Sequence, residues 1–332
     1  MRRWFLTAED KWKGIYPSNS DYIRDKNDTI STNITELYNS TVAGQNYEYY
    51  TLKFHATLQK YIHYWNDDDK NDSLALMQAM KNSELNIGTD GSYDPAQATG
   101  AGAAVASDSN SLETTICFGA KCQVEHGMTS LTAEQYGIIS GLLLIHILLL
   151  QSGRPTFRCK INFWVDNEEA LRRITSDEED DIRLKAFGVR DYGSMTVMRE
   201  LKQCLPSGVT INFQKVKSHQ EGPLEDLPIE AQLNHLADQM ANTIRTQSIG
   251  PSDRYKPHSR EGICIYDHTK TKIHDVGSYI TMKIKGDDLS EYYTKKHGWN
   301  KNIMDLIDWI GIDRFLSKLN PSSAHQLPTI NT

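Results

Sequence analysis

Asn86-Ile-Gly-Thr-Asp90-Gly91-Ser92 decides how this chain is read. Leu85 and Ile87 fall on one face of an extended strand, Asn86 and Asp90 on the other, because side chains alternate along a strand. The strand, expected at about 84–91, stops on an aspartate followed at once by a glycine, which lets backbone turn or pass close to something bulky. Taken alone, such an aspartate is a turn residue. It gains a second meaning only if other carboxylates downstream occupy matching places.

Working outward, the period stays at two. After Asp94-Pro95-Ala-Gln-Ala-Thr-Gly100, a second strand is expected at about 101–107, and a third through Leu112, Thr114, Ile116 and Phe118. Three strands on short links make an antiparallel meander. A long helix follows, opened by hydroxyls at Thr129 and Thr132 and ended by Gly153-Arg-Pro155. The fourth strand, Ile161–Asp166, comes after a helix and so can lie parallel to the first. A short helix from Glu168 to Ile174, another over 189–204, a fifth strand through Val209, Ile211 and Phe213, and a helix over 229–247 complete the order βββαβααβα. That is an α/β layer architecture with a five-stranded mixed sheet.

The flanks read differently. Residues 1–83 are expected to be a helical accessory or linker region. Phe54, Leu58, Tyr61, Ile62 and Trp65 make the stripe of one amphipathic helix over 51–65, and a second short helix runs from Ser73 to Met80. Residues 248–332 are expected to be a small extension: strands near Ile263–Tyr266, Lys272-Ile273 and Tyr279–Ile284, helices over Leu289–Lys296 and Ile303–Leu319, and a frayed tail from Pro321.

Composition bounds the chemistry. At 332 residues, 39% hydrophobic and 24% charged, the chain is long enough for one sizeable core with additions. A net charge of −7 excludes a global basic signature of nucleic-acid binding, so any nucleic acid would need a local patch or metal ions that neutralise carboxylates. The five cysteines form no CxxC pair and read as small buried hydrophobes of a reducing compartment. The N-terminus turns acidic before any apolar core develops, unlike a secretory signal. The expectation is an intracellular protein, cytoplasmic or nuclear, with no membrane partner. The apolar run Gly141–Leu150, interrupted by His146, is far short of the ~20 residues of a membrane span and reads as a buried core helix, with His146 structural.

Three carboxylates then join Asp90. Glu134 lies in the first turn of the long helix, Asp166 ends the fourth strand, and Asp238 lies on the last helix. Each has a bland reading: a helix-terminal charge favourable to the dipole, a strand-end cap, a surface carboxylate. Together on one sheet edge they would repel, and their pKa values would rise. Two Mg2+ ions, or Mn2+ in their place, would resolve this, since hard cations take oxygen ligands. A pair of such ions clamps the attacking water and the leaving oxygen of a phosphodiester.

The series Asp90-Gly-Ser92, Ala133-Glu134, Val165-Asp166-Asn167, Lys217-Ser-His219 and Leu236-Ala-Asp238 resembles the ribonuclease H type 1 family over about residues 84–247. The resemblance implies a ribonuclease H-like fold and hydrolysis of the RNA strand of RNA–DNA hybrids. It implies Asp90, Glu134, Asp166 and Asp238 as metal ligands and His219 as the loop histidine that helps proton transfer or product departure. It also implies substrate contacts at Gly91, Ser92, Gln135 and Asn167, some of them to RNA 2′-hydroxyls. The acidic run after the short helix stands where many family members carry a basic protrusion. The domain also occurs behind reverse transcriptases in retroelement polyproteins, which makes such a module a candidate partner. No Tyr-x-Asp-Asp polymerase signature is present. The alternative in a different class is a catalytically inactive nucleic-acid or protein-binding module of the same fold.

Overall fold

The structure is a computed structural model, and it describes residues 3–6, 12–15, 30–40, 43–54, 56–62, 64–66, 70–82, 85–108, 112, 114–122, 128–153, 158–176, 192–217, 220, 222–247, 265–266, 272–273, 291–292, 294–296 and 298. Two short strands come first, β1 (Arg3–Leu6) and β2 (Trp12–Ile15). Next are helices α1 (Ile30–Ser40), α2 (Tyr47–Lys53) and α3 (Ala56–Gln59), strand β3 (Tyr64–Asn66) and helix α4 (Lys70–Lys81). The central part holds β4 (Leu85–Asp94), β5 (Thr99–Ser107), β6 (Thr115–Lys121), α5 (Ser130–Gln151), β7 (Cys159–Val165), α6 (Glu168–Thr175), α7 (Tyr192–Gln203), β8 (Val209–Lys215) and α8 (Ile229–Thr246). Strands β9 (Ile265–Tyr266) and β10 (Lys272–Ile273) pair with β1 and β2 in a small second sheet, in the order β10-β9-β1-β2. Residues from Asp275 onward form a unit of their own. In it a helical stretch carries the Lys295–Glu291 ion pair and a 2.7 Å bond from Lys296 Nζ to Tyr292 Oη, and Gly298 stops it with a positive φ of 66°. The strand expected at Tyr279–Ile284 and the helix expected at Ile303–Leu319 lie outside the described residues.

The main sheet has the order β3-β6-β5-β4-β7-β8. Strands β4, β5 and β6 form the antiparallel meander, and β4-β7-β8 run parallel. The five expected strands are all present in the expected mixture. A sixth, β3, adds to the outer edge of β6. It arises where one helix over 51–65 was expected. The apolar spacing there is helical, but the chain divides into α2, α3 and a three-residue strand, and Phe54, Leu58, Tyr61 and Ile62 are buried.

Two helices sandwich the middle of the sheet. Leu85, Ile87 and Phe163 share the large core with α5. On the other face Ala101, Ala103 and Val105 meet Ala241, Ile244, Leu233 and Ala237 of α8. The small side chains of β5 let both helices sit close. A Cβ at Gly88 would lie 2.7 Å from the Leu233 backbone, and one at Gly137 would lie 2.7 Å from the Asp90 carbonyl oxygen. Within the parallel strands Asn86, Asn162 and Asn212 stand side by side in register. Asn162 Nδ2 donates to Asn86 Oδ1 at 3.1 Å, and Asn212 Nδ2 to Asn162 Oδ1 at 3.5 Å. This row ties three strands together without help from a turn.

Helix α5 is apolar nearly all round, and every residue from Thr132 to Gln151 is buried. At 22 residues, with an apolar stretch of mean hydropathy 1.6, it is long and apolar enough to cross a membrane, although its leucine run alone is short; here that apolar stretch is buried inside the protein. Residues from α1 to α4 supply much of its cover. Ile30, Ile34, Leu37, Tyr47, Tyr50, Phe54, Leu58, Tyr61, Ile62, Leu76 and Met80 belong to the same core as α5 and the sheet. Polar bonds fix the cover: Ser140 Oγ donates to Tyr61 O at 2.8 Å, Tyr50 Oη to Leu150 O at 3.3 Å, and Gln151 Nε2 to Gln45 O at 3.1 Å.

His146 is the polar centre of this packing. Its Nε2 lies 3.0 Å from Leu201 O, which only accepts, so Nε2 carries the proton. Nδ1 then accepts from the Tyr38 hydroxyl at 2.7 Å, and one neutral ring joins α1, α5 and α7. Complete burial lowers the His146 pKa to about 4. Unfolded, the ring titrates near 6.5, so between about 6.5 and 4 the unfolded chain binds the extra proton. Stability is therefore lost as pH falls through that window, by about 3 kcal/mol. Urea denaturation across pH 4–7 is expected to show an acid-side loss smaller by roughly that amount in His146→Gln than in the parent.

Candidate metal centre

Strand β7 pairs with β4 as far as Thr89↔Val165. Asp90 and Asp166 are each the next residue past that last pair. Strand β4 continues to Asp94, past its expected end at about 91, while β7 stops, so beyond this point the β7 side of β4 is left open although β5 still pairs on the other side. Glu134 enters from the α5 side. Its helix begins with a closed first turn, in which Thr132 Oγ1 accepts from Thr129 N at 3.2 Å. The result is a cluster of Asp90, Glu134 and Asp166 in which one carboxylate oxygen of each lies within 4.8 Å of the others. Asp90 and Glu134 are buried, at 6% and 7% exposure.

Gly91 makes the approach possible. A Cβ there would lie 2.3 Å from Glu134 N and 2.5 Å from Ala133 C, both backbone atoms that cannot swing away. The sequence suggests room for a ligand at this glycine; the space is filled by the first turn of α5. Gly91 N also donates to Asp90 Oδ1 at 2.7 Å and so fixes that carboxylate. Gly91→Ala is expected to push α5 outward, costing about 3 kcal/mol by overpacking and spreading the cluster. Thermal denaturation and a Mn2+ titration by calorimetry would measure the two effects.

Helix α8 brings the fourth carboxylate. Asn234 Nδ2 donates to Thr89 O at 3.3 Å, which sets the helix against the strand just before Asp90. One turn later Asp238 comes close enough to Asp90 for its charge to raise the Asp90 pKa, although it lies outside the tight group of three. Asp90 is thus the carboxylate shared by both sides of the site. Burial, then Asp166, raise the Asp90 pKa to about 8 against the pull of the Gly91 N–H, with Asp238 adding to the rise. Glu134 is held well above the usual carboxylate range by burial and by Asp90, Asp166 and Asp238. With Asp90 pushed up to about 8 and Glu134 also raised by its like-charged neighbours, the ion-free cluster is partly protonated at neutral pH.

The donor set fits a hard divalent cation. It is all oxygen, and Glu134 Oε2 is buried with no hydrogen-bond partner, an arrangement that costs free energy until something positive meets it. Asp90, Glu134 and Asp166 would hold one ion, and Asp90 with Asp238 a second.

The remaining expected site residues are placed as follows. Ser92 Oγ accepts from Arg245 Nε at 2.8 Å. Asn167 caps α6, its Oδ1 accepting from Ala170 N at 3.0 Å. Gln135 is fully buried, and neither amide atom has a partner. His219 lies outside the described residues. Asn234 and Arg245 were not singled out for the site by the sequence; the signal available was their helical spacing from Asp238, four residues before and seven after.

No protein-family profile and no curated protein sequence matches the chain. Solved structures do. The N-terminal RNase H domain of a Mycobacterium tuberculosis protein is 16% identical, over 48% of this chain and 92% of that one, with a TM-score of 0.31. RNase H1 from Halobacterium salinarum is 16% identical, over 48% of this chain and 96% of that one, at 0.30. The prototype foamy virus protease-reverse transcriptase is 17% identical, over 51% of this chain and 21% of that one, at 0.35. The fold is ribonuclease H-like. It follows from the strand order and the mixture of antiparallel and parallel pairs.

Proposed function

We propose that the chain is a metal-dependent endonuclease that hydrolyses the RNA strand of RNA–DNA hybrids. The observation that carries this reading is the convergence of Asp90, Glu134 and Asp166, with Asp238 alongside, at the end of the parallel ladder. Four carboxylates held together at a cost in protonation are explained by a ligand of high positive charge, and Mg2+ pairs serve phosphodiester hydrolysis in this manner. When bound, the ions would supply an activated water and neutralise charge developing on the phosphoryl oxygens.

The protein's part is positioning. Gly91 N–H holds one oxygen of Asp90, and Asp90 is placed to serve both ions. Glu134 and Asp166 close one side and Asp238 the other. His219, four residues after the end of β8 in the sequence, is assigned help with proton transfer or product departure. Asn167 spends its Oδ1 on the α6 cap, which leaves Nδ2 to face a 2′-hydroxyl. Ser92 lies two residues past Asp90 on β4, and Gln135 would need a local opening to reach substrate.

The test is cleavage of end-labelled RNA–DNA hybrid, duplex RNA and duplex DNA of one sequence, with Mg2+, with Mn2+ and with chelator. Metal-dependent cutting of the RNA strand in the hybrid is expected. Hybrid binding without cleavage at any metal concentration would favour the inactive module instead, and cutting confined to duplex DNA would overturn the substrate assignment.

A further inference from the structure

Two turns beyond Asp238 on α8, Arg245 reaches back over β4. Its Nε donates to Ser92 Oγ at 2.8 Å and its Nη2 to Asn242 Oδ1 at 2.7 Å. Its Nη1 lies 3.5 Å from Asp94 Oδ2, a long contact for an ion pair. Asp94 is largely spent elsewhere, because its Oδ1 accepts from Ala96 N at 2.8 Å and Gln97 N at 3.3 Å. The guanidinium is therefore held in orientation by two neutral oxygens and only loosely neutralised. A guanidinium has five N–H donors in a rigid fork suited to phosphate, and these contacts leave some of them over. The side chain is 18% exposed, so the fork is anchored but reachable.

Its place matters as much as its charge. Ser92 is two residues past Asp90 on β4, one side-chain repeat of roughly 7 Å along the same face. Successive phosphates on a nucleic-acid strand are spaced comparably. A strand with its scissile phosphate at Asp90 would bring a neighbouring phosphate to Ser92 and Arg245. The chain as a whole is acidic, so an anchored cation at this distance from the carboxylates weighs heavily.

We propose that Arg245, held by Ser92 and Asn242, binds the substrate phosphate adjacent to the scissile one and fixes the register in which the strand enters the site. The proposal rests on the nuclease reading. It makes Arg245 a substrate-binding residue that no metal ligand can replace.

The experiment is fluorescence anisotropy of a labelled RNA–DNA hybrid, titrated with full-length Asp90→Asn protein between 50 and 200 mM salt. Arg245→Gln, Arg245→Lys and Asp94→Asn are added to that background. Arg245→Gln is expected to weaken binding roughly 5–10-fold and to reduce the slope of log K against log salt by about one. Arg245→Lys should keep the slope, and Asp94→Asn should keep or tighten binding. An unchanged slope in Arg245→Gln overturns the proposal. So does Asp94→Asn reproducing Arg245→Gln, because Arg245 would then only pin the β4–β5 turn. Should Arg245→Gln unfold, protection of Arg245 by hybrid against phenylglyoxal in the Asp90→Asn protein decides: protection supports the proposal and its absence overturns it. Failure of the Asp90→Asn parent to bind hybrid at any salt would instead sink the nuclease reading itself.

Discussion

Asp90→Asn is expected to lower metal-dependent cleavage by at least ~10^3-fold, about 4 kcal/mol of transition-state stabilisation. Asp90 meets carboxylates from β7, α5 and α8, so its loss removes the one ligand common to both proposed ions. The same change should stabilise the ion-free protein. The folded Asp90 pKa of about 8 is raised above its unfolded value of 3.8, so the folded state binds the extra proton between those limits. Stability is then full at low pH and is lost as pH rises toward 8. Above about pH 7 the buried His146 adds little, because the unfolded ring with its pKa near 6.5 is by then mostly neutral, so the window from 7 to 8 reads mainly the carboxylates. There the ion-free parent should lose melting temperature with rising pH, and Asp90→Asn should lose less, with a gain of a few kcal/mol at pH 8. Adding Mg2+ should raise the melting temperature of the parent, most at pH 8, and do little for the variant. A parent whose melting temperature is indifferent to Mg2+ and to pH in this window would argue against a carboxylate metal site.

Deleting residues 1–83 is expected to abolish soluble folding. The deleted part buries eleven large side chains in the shared core, from Ile30 to Met80. At roughly 1.5–3 kcal/mol for each, the gross loss is on the order of 20 kcal/mol, above the 5–15 kcal/mol by which a typical domain is stable. The deletion also removes Tyr38 from His146 and Tyr61 O from Ser140. Size-exclusion chromatography and near-ultraviolet circular dichroism of the truncated chain would measure the outcome. A monomeric, cooperatively melting fragment would show that the sheet and α5 stand without their cover.

The sheet and the carboxylates were legible in the sequence for physical reasons. Strand β7 buries one face, so its alternation is plain, and Asp90 and Asp166 each follow the last pair between β4 and β7. Other features left no trace of that kind. The stripe from Phe54 to Trp65 has helical spacing, yet apolar spacing reports burial and not continuity, and the chain there breaks into two helices and an edge strand. Gly91 could be read as room for a ligand because a glycine says only that something is close; the helix backbone that occupies the space is 42 residues away in sequence at Ala133. Asn167 and Ser92 look like free polar groups in a motif, whereas the fold engages them with α6 and Arg245.

The covered α5 helix has a consequence for synthesis. Its leucine-rich surface would be a hazard if it emerged bare, since exposed apolar segments aggregate and this one is long enough to be mistaken for a membrane anchor. On the ribosome the order of the chain removes the hazard. Residues 30–82 leave the tunnel before α5, so the segments that cover the helix are already outside when it emerges. A circular permutant that moved residues 30–82 behind α8 would keep every contact of the finished protein and lose this sequence of events. Its difficulty would show in yield from cells and not in the melting temperature of whatever folded.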